Sequence, residues 1–310
     1  MKVAVMGAGG VGGTYGVRLA EAGHEVHIIA RGAHLAAIRE KGLRLEGVRG
    51  EAVIRPASAT DNPRAIGPVD LVLFAVKLWD TEPAAALCRP LLGPESAVLT
   101  LQNGVDGPAI LSRVLGSRAV MAGATSIFAT IAAPGVIRQP DPVQRIIFGE
   151  LDGRTTPRAE AIRAAGEGAG IEMILTDRVW VELWRKFVYL TALSGLTCYT
   201  RGPIGPVREN PETRRMLEDA MAEAIAVGRA KGIPLPANLL EERMGLALGL
   251  APTMRASMLH DLDHGNRLEL PWLSGAVLRM GEETGVATPT HRQIVEALQP
   301  FVDGARRAPG

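Results

Sequence analysis

Lys186 lies in the stretch Asp177 to Tyr199, which reads DRVWVELWRKFVYLTALSGLTCY. At about 100° per residue it shares a face of about 80° with Val179, Leu183, Leu190, Ser194 and Thr197, while Arg185 points away from that stripe. A lysine at the edge of an apolar surface has two fates. It can extend its ammonium to water, or it can sit in a cleft where the charge meets an anionic or polar ligand. In the second case desolvation lowers its pKa and a bound carboxylate raises it, leaving a group able to donate a proton to a developing alkoxide. Periodicity alone leaves both open.

A second group is Gly7-Ala8-Gly9-Gly10-Val11-Gly12, which fits G-x-G-x-x-G directly after an expected strand and at the opening of an expected helix. The first glycine permits the tight turn, the second lets a pyrophosphate approach the backbone, and the third lets the helix pack on the strand. Free N–H groups and the positive end of the helix dipole then hold the phosphates. The second strand ends Ile28-Ile29-Ala30-Arg31, so Arg31 stands where an NAD site carries an acidic residue for the ribose hydroxyls. An Arg there pairs with a 2′-phosphate, which favours NADPH over NADH; the alternative is an ordinary surface residue. Two further loops, Phe74-Ala75-Val76-Lys77 and Leu101-Gln102-Asn103-Gly104, fall at expected carboxyl ends of strands, where open α/β sheets bind ligands. Lys77 brings a cation to that edge and Asn103 both a donor and an acceptor; each alone is more often a turn or surface residue, and it is their pairing after consecutive strands that points to a site.

These residues need a scaffold of βαβ units, and the first half of the chain supplies the pattern. Short β-branched runs are expected as strands at Val3 to Met6, Glu25 to Ile29, Leu71 to Val76 and Ala97 to Thr100, with a helix over Val11 to Ala22 ended by Gly23. Ala119 to Ala124, Gly135 to Arg138 and Arg145 to Phe148 read as later strands closing the same sheet. After Thr176-Asp177 the periodicity becomes helical. Helices are expected over Val179 to Cys198, Pro211 to Lys231 closed by Gly232, Ala237 to Leu250, a stretch starting near Met254, and Trp272 to Thr284. The reading is thus an α/β fold, with an N-terminal Rossmann dinucleotide-binding domain over residues 1–176 and an all-helical C-terminal domain over residues 177–310.

Composition fits this. At 310 residues, two cores are expected rather than one. With 47% hydrophobic and 4% aromatic residues, the chain reads as an aliphatic-core globular protein able to bury a cofactor. The net charge of +1 comes without a basic block, which argues against nucleic acid as a partner. Cys88 and Cys198 form no ligand pattern and point to a reduced, cytoplasmic protein rather than to a disulfide. The opening Met1-Lys2-Val3-Ala4-Val5-Met6 is interrupted by glycines too soon for a signal peptide. No segment has the roughly 18 uninterrupted apolar residues of a membrane span. His260 and His264 are an i, i+4 pair without a third ligand, and no metal site is expected.

Taken together, GAGGVG, FAVK ending in Lys77, LQNG holding Asn103, LWRKF holding Lys186, and SMLHDL…RLEL holding Ser257 and Glu269 resemble the ketopantoate reductases (2-dehydropantoate 2-reductases) over nearly the whole chain. The resemblance implies an active site in the cleft between the two domains, NADPH as cofactor, a small 2-oxo acid as substrate, and ketopantoate reduction in pantothenate biosynthesis. It implies Lys186 as general acid, Glu269 orienting substrate and lysine, Ser257 bonding substrate, and Lys77 and Asn103 touching substrate or the nicotinamide half. Ala129, through Ile127-Phe128-Ala129, would approach the nicotinamide. On the residues alone, Glu269 could instead cap the helix near Trp272, and Ser257 could bond its own turn. Family behaviour also suggests a homodimer. The chain departs from the family where typical members carry Asn one and two turns after the lysine; Leu190 and Ser194 stand there, which points to a different or bulkier 2-oxo acid. The rival readings are a paralogue acting on another 2-oxo or 2-hydroxy acid and a non-catalytic NADP-binding sensor.

Overall fold

Alternation in the first strand sets the architecture. Val3 and Val5 enter one apolar cluster while Ala4 and Met6 enter another, so this strand is covered on both faces. The computed structural model describes residues 1–304. These form two compact units, Met1–Gln102 with Asp106–Trp180, and Asn103–Val105 with the chain from Val181 onward.

In the first unit the strands are β1 (Lys2–Met6), β2 (Glu25–Ile29), β3 (Leu43–Gly47), β4 (Gly50–Ile54), β5 (Ser58–Thr60), β6 (Val69–Phe74), β7 (Leu92–Thr100), β8 (Val120–Ser126), β9 (Thr130–Ala133), β10 (Val136–Gln139), β11 (Arg145–Glu150) and β12 (Glu172–Leu175). The helices among them are α1 (Gly10–Glu21), α2 (Gly32–Lys41), α3 (Thr81–Cys88), α4 (Gly107–Leu115) and α5 (Pro157–Gly168). The main sheet has eight strands in the order β12-β11-β8-β7-β6-β1-β2-β5. From β5 through to β8 every pairing is parallel; β11 then runs antiparallel to β8 and β12 parallel to β11. The chain builds outward from β1 to β2 and β5 on one side and returns to β6, β7 and β8 on the other. This is the Rossmann order, with its switch point beside the carboxyl end of β1.

One expectation is corrected here. Of the three later strands, β8 and β11 join the main sheet, but the segment at Gly135 to Arg138 does not. It forms β10 of a separate four-stranded sheet, β4-β3-β10-β9. The reason is packing on α1. A Cβ on Gly13 would lie 2.8 Å from Ile137 Cγ1, so this second sheet lies against the glycine-rich start of that helix.

The second unit is helical beyond the 103–105 segment: α6 (Val179–Tyr199, which enters from the first unit), α7 (Ile204–Glu209), α8 (Pro211–Ala230), α9 (Leu239–Gly249), α10 (Ser257–Asp263), α11 (Ser274–Thr284) and α12 (Pro289–Leu298). Local chemistry fixes the ends. Asn210 caps α8 by accepting from Glu212 N at 2.9 Å and Thr213 N at 3.3 Å, with Pro211 in the first turn. The Glu223 carboxylate accepts from the N–H groups of Thr290 and His291 at 2.8 and 3.0 Å, closing the exposed start of α12. The helix expected from Trp272 begins at Ser274, because Leu270-Pro271-Trp272 forms a 3-10 turn first. The helix expected near Met254 begins at Ser257. Gly228 lets the Trp184 ring of α6 lie on α8, and Gly195 lets α6 meet Ser274 and Ile294. Val188, Ala192, Leu196, Ala220, Val227, Val277 and Ile294 are wholly buried in this unit. Cys88 and Cys198 are buried free thiols. Among the described residues no helix is long and apolar enough to cross a membrane.

Candidate active site

The turn after β1 divides its work among its glycines. Gly7 has φ +95°, and a Cβ there would lie 2.9 Å from Val76 N. A Cβ on Gly12 would lie 2.2 Å from Gly7 O and 3.0 Å from Val5 Cγ1, so this glycine is what lets α1 sit on its strand. Gly9, the residue that caps α1, has nothing within 4 Å of where its Cβ would be. Open space in front of the first N–H groups of a helix, on a residue with no side chain, fits the approach of a pyrophosphate. Gly10 has a role that its letter did not disclose: its Cβ would fall 2.0 Å from the carbonyl oxygen of Ala129. Ala129 is thus placed against the glycine turn itself, and Val11 is half-buried behind it.

Two positions not identified from the sequence hold this region. His34 on α2 accepts from Gly135 N at Nδ1 (3.0 Å) and donates from Nε2 to the Ala8 carbonyl at 2.8 Å, tying the glycine turn to the second sheet. Burial lowers its pKa, opposed by the bond to Ala8. Gln102 is buried, and its side-chain amide donates to Val76 O at 3.0 Å and to Thr81 Oγ1 at 2.9 Å, fixing the loop that carries Lys77. Neither residue follows a spacing rule that separates it from a surface polar group. The Lys77 ammonium lies 5.6 Å from the centroid of the Trp79 ring. Arg31, at the start of α2, is largely exposed and donates from Nη2 to Asp80 Oδ2 at 2.8 Å.

In the second unit, Lys186 Nζ donates to Asn103 Oδ1 at 3.0 Å, and Asn103 Nδ2 donates to Glu269 Oε2 at 3.4 Å. Glu269 is buried between wholly apolar neighbours, Leu268 and Leu270. Burial pulls the pKa of Lys186 down to about 8, with the negative charge of Glu269 acting in the opposite direction. Glu269 makes no side-chain capping bond to the turn that follows it, so the capping alternative gives way to its bond with Asn103. Gly104, φ +80°, turns the chain so closely that a Cβ would lie 3.1 Å from Trp272 O.

Three expected substrate residues stand outside this chain of bonds. Leu190, one turn beyond Lys186, is half-buried. Ser194 is fully buried, and its hydroxyl has no partner among the described residues. Ser257 is exposed at the first position of α10. Among the described residues no group of three or more His, Cys, Asp or Glu is placed to hold a metal ion.

Comparison with known proteins agrees with the topology. The family model described as ketopantoate reductase PanE/ApbA matches residues 3–153, and its C-terminal counterpart matches residues 178–301. Over 302 residues the chain is 32% identical to the 2-dehydropantoate 2-reductase of Halobacterium salinarum, covering 96% of this chain and 98% of that one. The crystal structure of a PanE/ApbA family ketopantoate reductase from Ralstonia eutropha JMP134 superposes with a TM-score of 0.89 at 33% identity, covering 97% and 98% of the two chains. D-mandelate dehydrogenase, solved with NADH and anilino(oxo)acetate, shares the fold with a TM-score of 0.89 at 21% identity, covering 97% and 98%. Over both of its units, the chain belongs to the ketopantoate reductase family of oxidoreductases.

Proposed function

We propose that this chain reduces a 2-oxo acid to the corresponding 2-hydroxy acid with NADPH, 2-dehydropantoate to pantoate being the first substrate to test. The observation that carries the reading is the Lys186 ammonium, hydrogen-bonded to Asn103 and brought by burial to a pKa of about 8. Such a group is charged at neutral pH, polarises a carbonyl, and is acidic enough to protonate the oxygen as it becomes an alkoxide. The open face of Gly9 and the N-terminus of α1 suit the pyrophosphate, with Arg31 for a 2′-phosphate and Lys77 on the neighbouring loop. A bound reduced nicotinamide supplies the hydride to the carbonyl carbon. Lys186 gives the proton to the carbonyl oxygen and is left as a neutral amine. Glu269, through Asn103, orients that donor, and Ser257 bonds the substrate.

A second reading concerns the substrate. Leu190 presents an apolar side chain one turn from Lys186, and Ser194 is closed off from solvent, so neither offers an amide to a hydroxylated substrate. A 2-oxo acid with an apolar side chain suits that surface better.

The test is a panel of 2-oxo acids, ketopantoate and branched or aromatic ones among them, assayed with NADPH and with NADH. Turnover of at least one acid is expected, together with a loss of about 100-fold or more in Lys186→Ala at unchanged dinucleotide affinity. Dinucleotide binding without turnover of any 2-oxo acid would replace the enzyme with a sensor.

A further inference from the structure

The Arg31–Asp80 ion pair joins two loops that leave strands on opposite sides of β1. Arg31 follows β2 and Asp80 follows β6, and both strands pair with β1. The glycine turn leaves β1 between them, so the pair bridges the two banks of the dinucleotide site. Asp80 ends a 3-10 turn, Leu78–Asp80, whose backbone bond from Asp80 N to Lys77 O (2.9 Å) holds it in place. The turn is anchored in its turn by Gln102, which donates to Val76 O and Thr81 Oγ1 on either side of it. The turn that carries the carboxylate is therefore anchored, and Asp80 is the less exposed partner, at 30% against 77% for Arg31.

A 2′-phosphate drawn to Arg31 thus meets a negative charge, on an anchored turn, within hydrogen-bond distance of the same guanidinium. A 2′-hydroxyl meets a carboxylate able to accept from it. We propose that Asp80 is a specificity-determining residue of the dinucleotide site: it offsets Arg31 and blunts the preference for a 2′-phosphorylated cofactor over NADH. This rests on the dinucleotide-dependent reading above and refines it.

The carboxylate acts in two ways. It occupies Arg31 before the phosphate arrives, a small effect because exposed ion pairs are weak. It also repels the phosphate after arrival, which is the larger effect because the phosphate carries up to two charges and the backbone of Asp80 is held by its turn. Screened at the surface, that repulsion corresponds to roughly tenfold in affinity. Ionic strength reports the same balance: removing Asp80 makes the local charge more positive, so binding of the 2′-phosphate becomes more sensitive to salt.

The experiment measures dissociation constants by fluorescence quenching or calorimetry for NADPH, NADH, 2′,5′-ADP and 5′-AMP on the whole chain and on Asp80→Asn, with Asp80→Ala as a second variant and a thermal melt to establish folding. Asp80→Asn is expected to tighten NADPH and 2′,5′-ADP by roughly tenfold, to leave NADH and 5′-AMP within about twofold, and to steepen the salt dependence of NADPH binding. Unchanged or weaker NADPH binding in both folded variants, with the parent binding both dinucleotides, overturns the role of Asp80 while leaving the dinucleotide reading intact. If the parent binds neither dinucleotide, that reading falls and this proposal falls with it.

Discussion

Replacing Glu269 by the isosteric Gln removes a negative charge near Lys186 while keeping an acceptor for the Asn103 amide. Burial holds the Lys186 pKa at about 8, and Glu269 keeps it from falling further. The Asn103 amide, bonded at 3.0 Å to the ammonium and at 3.4 Å to the carboxylate, keeps the two charges one side chain apart, where an effective dielectric of about 20 gives an attraction on the order of 2 kcal/mol. Losing it lowers the Lys186 pKa by about 1.5. Reduction uses the protonated lysine, so activity is high below its pKa and is lost as pH rises through it. The parent should therefore lose its single-turnover rate of hydride transfer on passing pH 8, and Glu269→Gln should lose it at lower pH, earlier by on the order of one pH unit or more. The assay is stopped-flow oxidation of the reduced cofactor with saturating 2-oxo acid across pH 5.5 to 10, about the range over which both limbs fall. The pH dependence of Lys186 modification by an amine reagent gives an independent reading. A descending limb that stays put in the variant, or moves to higher pH, refutes the electrostatic link from Glu269 to Lys186.

Other outcomes follow from geometry alone. Gly9→Ala should fold normally, since open space surrounds its Cβ, yet bind dinucleotide at least about tenfold more weakly; Gly10→Ala should lose about 1–3 kcal/mol in thermal or urea denaturation, because its Cβ would strike the Ala129 carbonyl. Leu190→Asn should raise kcat/KM for a hydroxylated 2-oxo acid relative to an apolar one by about tenfold or more, measured as competing rates; no change in that ratio removes Leu190 from substrate selection. His291 is wholly buried and its pKa is lowered to about 4 from 6.5 by loss of water, partly offset by its bond to Ala220 O. The unfolded chain then binds more protons than the folded one between those values. Stability is full above about pH 6.5 and falls toward pH 4 by about 3 kcal/mol, a loss that urea denaturation of His291→Gln should show reduced.

The parts of the molecule legible in the letters were those with a strong local signature. The G-x-G-x-x-G turn announced itself because each glycine meets a separate steric demand, and α6 because twenty-one residues keep one period. The second sheet was not legible. β3 and β4 are short, with charged residues such as Arg44 and Glu51 on their exposed face, and β10, which pairs with β3, is distant in sequence. The site was legible only as separate residues. Lys186 on a helix face suggested a donor, but no pattern in the sequence gives Asn103 as its acceptor across 83 residues, or Glu269 as the next link. His34 and Gln102 escaped notice because most of their bonds are to backbone groups, and backbone groups have no letter of their own.

The amide of Asn103 is read at one end by a cation and at the other by an anion, so its orientation is not free to flip. It acts as a spacer with a fixed polarity. Were the ammonium and the carboxylate in direct contact, their attraction would grip the proton too firmly for it to leave. One amide's width of insulation keeps the charge in place between turnovers and still lets it go. An Asp at that position would have nearly the same shape and would close the circuit.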